Sequence, residues 1–175
     1  MHERGAMTPE AMTPEAQTLV AYLDDQRRHV LGILEGLDEE ALRRPMLPSG
    51  WSCLGLIQHL TLDDERFWFQ GVVAGEPAVK DAVAEGYDGW KVDPSVPAEQ
   101  LLEGYRRECQ RTNELLAATS LDAAPAWWPE ELFGGFRLDT VREVVLHVLV
   151  ETSVHAGHLD AARELVDGRQ WIVLD

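Results

Sequence analysis

Residues 140–168 read TVREVVLHVLVETSVHAGHLDAARELVDG, and their spacing decides the fold. Thr140 and Glu143 have the Thr-x-x-Glu spacing of a capping box, in which each side chain satisfies a backbone N–H that the first helical turn leaves unpaired. Beyond it, Val141, Val145, Val148, Thr152, His155, Leu159, Ala162 and Val166 recur at intervals of three and four, the period of a single helix face. Gly168 follows Asp167, and glycine ends helices because it enters the left-handed conformation without a Cβ clash. The stretch predicts one long helix with a continuous seam, which is stable only when packed lengthwise against other helices.

Three more segments carry the same signal. From about Glu15 to Gly36, Leu19, Leu23, Val30, Leu34 and Leu37 form a stripe opposite Asp24, Asp25, Arg27 and Arg28. From Cys53 to about Val73 a second helix is predicted, with Ser52 as N-cap, an acidic cluster at Asp63, Asp64 and Glu65, and an end near Gly75. Pro97 opens a third, to about Ala118, with Leu101, Leu102, Tyr105, Cys109, Thr112 and Leu116 on one face and Arg106, Arg107, Glu108 and Arg111 on the other.

The connections differ in length. LDEEALRRP, ending at Pro45, reads as a short helical turn, and Pro48, Ser49 and Gly50 supply turn chemistry. Residues 76–96 hold Tyr87 and Trp90 without a clear period, as in an ordered crossover loop. A second loop contains Trp127, Trp128, Pro129, Gly134 and Gly135, and its tryptophans are expected to pack the bundle end. No stretch of useful length alternates in the manner of a strand. The expected fold is therefore all-α, a four-helix bundle with long crossover loops, forming one domain over residues 16–175. Residues 1–15, with the near repeat AMTPE-AMTPE, are expected to be a disordered tail.

Charge narrows the partners. Fifteen basic residues against thirty-one acidic ones leave a net charge of −16 over 175 residues, which repels phosphate backbones and anionic lipid surfaces, so no nucleic acid or membrane partner is expected. No apolar run approaches the roughly 20 residues of a bilayer span, and the first residues lack the basic start and apolar block of a signal peptide, so a cytoplasmic protein is expected. Cys53 and Cys109 lack metal-binding spacing and read as reduced thiols.

Chemistry concentrates in the last helix. His147, Glu151, His155 and His158 fall within twelve residues. Glu151 and His155, four apart, project from one helical face about a turn apart, which is how a helix offers two ligands to one ion. His147 and His155 are eight apart, about 12 Å along the axis, too far to share a metal. Glu151 can pair with either, but His155 lies on the seam and is preferred. The third ligand comes from elsewhere. His2 is in the tail, His29 sits among Gln26, Arg27 and Arg28 and reads as solvated, and His59 borders the stripe of Leu56, Leu60 and Phe67. His59, Glu151 and His155 thus form the candidate metal set, with Asp63 read as a solvated acid or a partner of His59 rather than a ligand. His158, one turn on, is the candidate acid/base. Two imidazoles and a carboxylate leave an open position, as in catalytic zinc centres, and also suit iron or nickel. The competing reading is an ordinary surface Glu–His pair.

Gly-Leu-Ile-Gln-His-Leu at 55–60 before an acidic, aromatic turn, together with Glu-x-x-x-His-x-Gly-His-Leu-Asp-x-x-Arg-Glu-Leu-x-Asp-Gly at 151–168, resembles the DinB/YfiT-like superfamily, and within it the actinobacterial mini-circle protein and mycothiol S-transferase branch. The resemblance covers roughly Leu19 to Trp171. It implies a four-helix bundle holding a divalent metal through one histidine of the second helix and an i, i+4 pair of the last, which correspond to His59, Glu151 and His155. Many relatives have histidine where Glu151 stands; the glutamate variant is similar to mycothiol-dependent maleylpyruvate isomerase. His158 takes a place often held by glutamine. Relatives are often dimers.

The expected function is that of a metal-dependent, mycothiol-type thiol S-transferase acting on an electrophilic small molecule through a metal-bound thiolate, with zinc the expected ion. A low-molecular-weight thiol and an electrophile are the expected partners, with a homodimer as the expected assembly. A metal-dependent hydrolase, or a stress-related bundle without catalysis, uses the same residues differently.

Overall fold

The computed structural model describes residues 12–171. Among them the chain forms seven α-helices and one π-helical segment, and no strand: α1 (Pro14–Ile33), α2 (Glu39–Arg43), α3 (Cys53–His59), the π segment (Leu60–Val73) that continues α3, α4 (Pro77–Glu85), α5 (Ala98–Ala117), α6 (Glu130–Phe133) and α7 (Val141–Asp167). The all-helical expectation holds.

Local chemistry explains the ends. Thr13 and Pro14, within the second AMTPE copy, are a helix start, since the Ala16 N–H donates to Thr13 Oγ1 at 3.2 Å and Pro14 occupies the first turn. The part of the expected tail at Thr13–Glu15 is therefore ordered, while residues 1–11 lie outside the described residues. Ser52 caps α3 through the Gly55 N–H. Thr140 and Glu143 make both halves of the capping box of α7, and Gly168 closes it at φ +77°.

Two stretches depart from expectation. The 76–96 crossover contains α4, a nine-residue helix opened by Pro77. The expected second helix keeps its bounds but widens after His59 into fourteen residues of π geometry, although π turns usually occur singly and often at functional sites. At its end the Ala74 N–H still reaches back five residues, to the Phe69 carbonyl.

The long helices pack α1 on α7, α7 on the π segment, the π segment on α5 and α5 on α1. Their interior has two apolar clusters. One gathers Val30, Leu56, Leu60, Tyr105 and Leu159, the other Leu23, Phe67, Phe69, Leu116, Val145 and Val148. The order in which each helix meets the clusters shows α1 and α7 running one way and α3, with its π extension, and α5 running the other.

Between the clusters lies a buried polar layer. Arg27 of α1, Glu65 of the π segment, Thr112 of α5 and Thr152 of α7 each stand between an apolar residue of one cluster and one of the other. Arg27 Nε and Nη2 donate to the two oxygens of Glu65 at 2.7 and 2.6 Å, and Thr112 Oγ1 donates to Glu65 at 2.8 Å. Arg27 Nη1 reaches Asp24 and Asn113 at 2.8 and 2.7 Å. A buried ion pair of this kind fixes helix register more than it adds stability.

Candidate functional site

The site sits at the level of that polar layer, where α3 becomes the π segment and faces α7. His59 closes α3, and its Nδ1 lies 2.7 Å from Asp63 Oδ2 one turn later. A carboxylate on one ring nitrogen fixes the tautomer and turns the other toward a ligand. The His59 ring stacks on Trp90 at 4.2 Å between centroids and 16° between planes, and meets His155 edge-on at 4.9 Å.

On α7, His155 is 9% exposed, and its Nε2 stands 3.8 Å from Glu151 Oε2. Its Nδ1 is 3.3 Å from His158 Nδ1, so one of these two nitrogens carries a proton to the other. Burial above all, then His59 and His158 nearby, pushes the His155 ring down to about 4. It is neutral at physiological pH, as a metal ligand must be. His158 is exposed and lies 6.2 Å from the Trp51 ring.

The structure thus brings His59, His155 and His158 into one row of rings, with Glu151 beside His155. A cleft of about 620 Å³ opens at the His59 end of this row, lined by His59, Asp63, Asp64, Phe67, Trp68, Trp90, Phe133, His147 and Glu151 among others. His147 belongs to the cleft wall. Its ring meets Trp68 at 4.6 Å, and burial lowers its affinity for a proton although Glu151 opposes this.

Asp64 stands out. It is 3% exposed, lines the cleft, and its Oδ2 has no hydrogen-bond partner among the described residues. Burial, reinforced by Glu65, Glu151 and Asp63, holds its carboxyl well above the usual carboxylate range. The acidic cluster was legible in sequence, and the spacing of Asp64, four residues after Leu60 and three before Phe67, is the signal that puts its middle member on the buried stripe.

The crossover is fitted to α3 with little clearance. Gly89 is buried, and a Cβ there would overlap the Asp63 carboxylate, while a Cβ on Gly55 would lie 3.0 Å from the Trp90 carbonyl oxygen. Gln58 Nε2 donates to the Lys91 carbonyl at 2.7 Å. Trp90 therefore belongs to the site, a role that an isolated aromatic in a loop gives no sequence signal for.

His29 departs from its solvated expectation. Its Nε2 lies 2.8 Å from Asp160 Oδ1 and its ring stacks on Trp171 at 5.0 Å, so it ties α1 to α7. The expectation failed because its partners come from residues 131 and 142 positions away.

The donor set suits a metal in kind. Donors about 2.1 Å from one ion stand roughly 3–4 Å apart, which the 3.8 Å between His155 Nε2 and Glu151 Oε2 meets. Among the described residues, no three His, Cys, Asp or Glu side chains already close into a metal-holding group. His59 completes the set only if its ring turns toward that pair.

An all-helical protein with a row of histidines and a helical Glu-x-x-x-His at an aromatic, acid-lined cleft is the class that these features define. Residues 18–168 match the family model described as Mycothiol-S-transferase, and the chain belongs to that family, a DinB-like one. Comparisons with curated proteins and with solved structures returned no match. Among the described residues, no helix is long and apolar enough to cross a membrane.

Proposed function

We propose that this protein is a metal-dependent S-transferase that joins a thiol of the mycothiol type to an electrophilic small molecule. The observation carrying this reading is that the His59 ring meets His155 while Glu151 stands beside His155, with His59 and Glu151 both lining one cleft, in a chain whose family is described by mycothiol transfer. His59, Glu151 and His155 are the residues proposed to hold a divalent ion, zinc first, with nickel or iron as other candidates. Such an ion supplies Lewis acidity that keeps a thiol deprotonated near neutral pH.

The chain's own groups do the rest. Asp63 holds the His59 ring in one tautomer. With His155 facing Glu151 through Nε2, its Nδ1–H donates to His158 Nδ1, so neutral His158 carries its proton on Nε2 and can donate it in a hydrogen bond that orients the thiolate, while the thiol proton leaves to solvent. The aromatic walls of the cleft exclude water from the electrophile. In the reaction the thiol S–H bond breaks, a sulfur–carbon bond forms, and the leaving group departs with the carbon's former bonding pair.

The proposal includes one domain over residues 16–175 built as a DinB-like four-helix bundle, in the cytoplasm, and a homodimer. Support for the dimer comes from α7, where Leu146, Val150 and Val154, spaced by four, are 43, 59 and 49% exposed.

Metal analysis by mass spectrometry on the full chain, His59→Ala and His155→Ala tests the centre, and turnover of an aromatic electrophile with and without thiol tests the reaction. About one metal per chain in the parent, lost in both variants, with turnover only when thiol is present, is expected. Metal and thiol transfer retained in His155→Ala would overturn the reading, and turnover without thiol would point to a hydrolase.

A further inference from the structure

His147 is the histidine of α7 that the mechanism above leaves unused. Trp68 meets its ring edge-on at 4.6 Å between centroids and Phe136 stands at 6.0 Å, and the ring lines the cleft together with Phe67, Trp68, Phe133 and Glu151. Burial and, against it, the charge of Glu151 are what act on the ring; no hydrogen bond holds either of its nitrogens among the described residues. An imidazole half-buried against two aromatic rings carries a polar edge into a place where phenylalanine would pack as well.

The helix sets a distance. Glu151 and His155 stand four and eight residues beyond His147, so their midpoint lies about 9 Å along the axis. In the transferase reading the sulfur is held at that level, and the reacting carbon must come to it. A hydrogen bond from His147 takes up about 3 Å, which leaves about 6 Å between the reacting carbon and the atom that accepts the bond. Groups that make a carbon electrophilic withdraw electrons, and nitro, carbonyl and cyano groups all accept hydrogen bonds. Burial holds the His147 ring neutral near pH 7, and a neutral imidazole has one N–H to give. A bond donated to the withdrawing group draws more charge away from the carbon under attack.

We propose that His147 is a specificity-determining residue that donates its N–H to the electrophile, selecting one-ring aromatic molecules whose reacting carbon and hydrogen-bond acceptor lie para to each other. This rests on the transferase reading above. Phe67, Trp68 and Phe133 supply aromatic walls for the ring between the two ends. No proton leaves His147: the sulfur–carbon bond forms and the leaving group departs as already given, and the hydrogen bond only polarises the electrophile.

The test is equilibrium binding by calorimetry to the purified full chain, with alcohols that do not react with a thiol: 4-nitrobenzyl, 2-nitrobenzyl and 4-methylbenzyl alcohol. The first carries its acceptor at the required distance, the second carries it too near, and the third has none there. His147→Phe keeps a ring beside Trp68 and removes the donor, while His147→Gln keeps an N–H and removes the ring. Circular dichroism checks that both variants are folded. The parent is expected to bind the 4-nitro alcohol about fivefold or more tightly than either of the others. His147→Phe is expected to bring all three within about twofold, and His147→Gln to keep a preference of about threefold or more. A parent that binds the three alike, a preference that survives His147→Phe, or one that His147→Gln loses as completely as His147→Phe would overturn the assignment. Turnover of 4-nitrobenzyl chloride with mycothiol is measured alongside. An inactive parent that still sorts the alcohols refutes the transferase reading alone, and an active parent that does not sort them refutes the role of His147 alone.

Discussion

Replacing Arg27 by methionine removes the guanidinium from a position 3% exposed and leaves the Glu65 carboxylate, 0% exposed, with Thr112 as its remaining partner. Both oxygens of Glu65 lose a donor at 2.6–2.7 Å. Breaking a buried pair in this way costs about 3–5 kcal/mol, because one charge stays behind in the interior. Asp24 and Asn113 keep their mutual bonds at 3.1 Å and add little to the loss. For a chain of this length about 4 kcal/mol corresponds to a Tm lower by roughly 8–16 °C. The double variant Arg27→Met/Glu65→Leu buries no charge, and is expected to fall within about 1–2 kcal/mol of the parent. Urea unfolding of the parent, both single variants and the double gives the coupling energy, expected near 3 kcal/mol or above. A loss below about 1 kcal/mol in Arg27→Met, or a double variant as damaged as the sum of the singles, would refute the account of the polar layer.

The other predictions concern the site. Gly89→Ala pushes a methyl into the Asp63 carboxylate, so the Asp63–His59 bond is lost and metal affinity falls by about 10–100-fold at little cost in helix content, read by competition with a chelating dye. In metal-free protein the depressed His155 ring titrates below its unfolded value of 6.5, so the unfolded state binds the extra proton first. Stability from this group is complete above pH 6.5 and is lost as pH falls toward 4, by up to about 3 kcal/mol, so His155→Gln is expected to flatten the acid limb of a Tm–pH curve; parallel curves would contradict it. Asp64 has the opposite sign. Its raised folded value means that the folded state holds the proton longer, so stability declines as pH rises past the ordinary carboxyl value of 3.8, and Asp64→Asn should gain on the parent as pH rises above that point in Tm measurements.

What could be read from the sequence follows the range of the interactions. α1, α5 and α7 were legible because capping and seam spacing are local: Thr140 with Glu143, Pro97 before α5, and apolar residues at three and four. His59, Glu151 and His155 were found together because two lie on one helix and the third borders an apolar stripe. The π widening after His59 was not legible, since Leu60, Phe67 and their neighbours fit an α-helix as well. α4 was missed because nine residues opened by Pro77 resemble loop composition. His29 was misjudged, and Trp90 carried no sign of its role, because each owes its position to residues far along the chain.

The wide turns after His59 also bear on how this chain can change length. A helix with i→i+5 bonding spends more residues per turn than one with i→i+4 bonding. Losing a single residue from Leu60–Asp63 would let the backbone relax toward the commoner geometry, and because five α steps of about 100° turn through nearly the same angle as six of the wider ones, His59 would keep its bearing relative to Glu65, whose azimuth Arg27 and Thr112 hold. The histidine would stay at the cleft while the core stayed packed. A one-residue gap here is therefore an inheritance event of a particular kind, in which a descendant sheds the wide turns and keeps both its architecture and its chemistry.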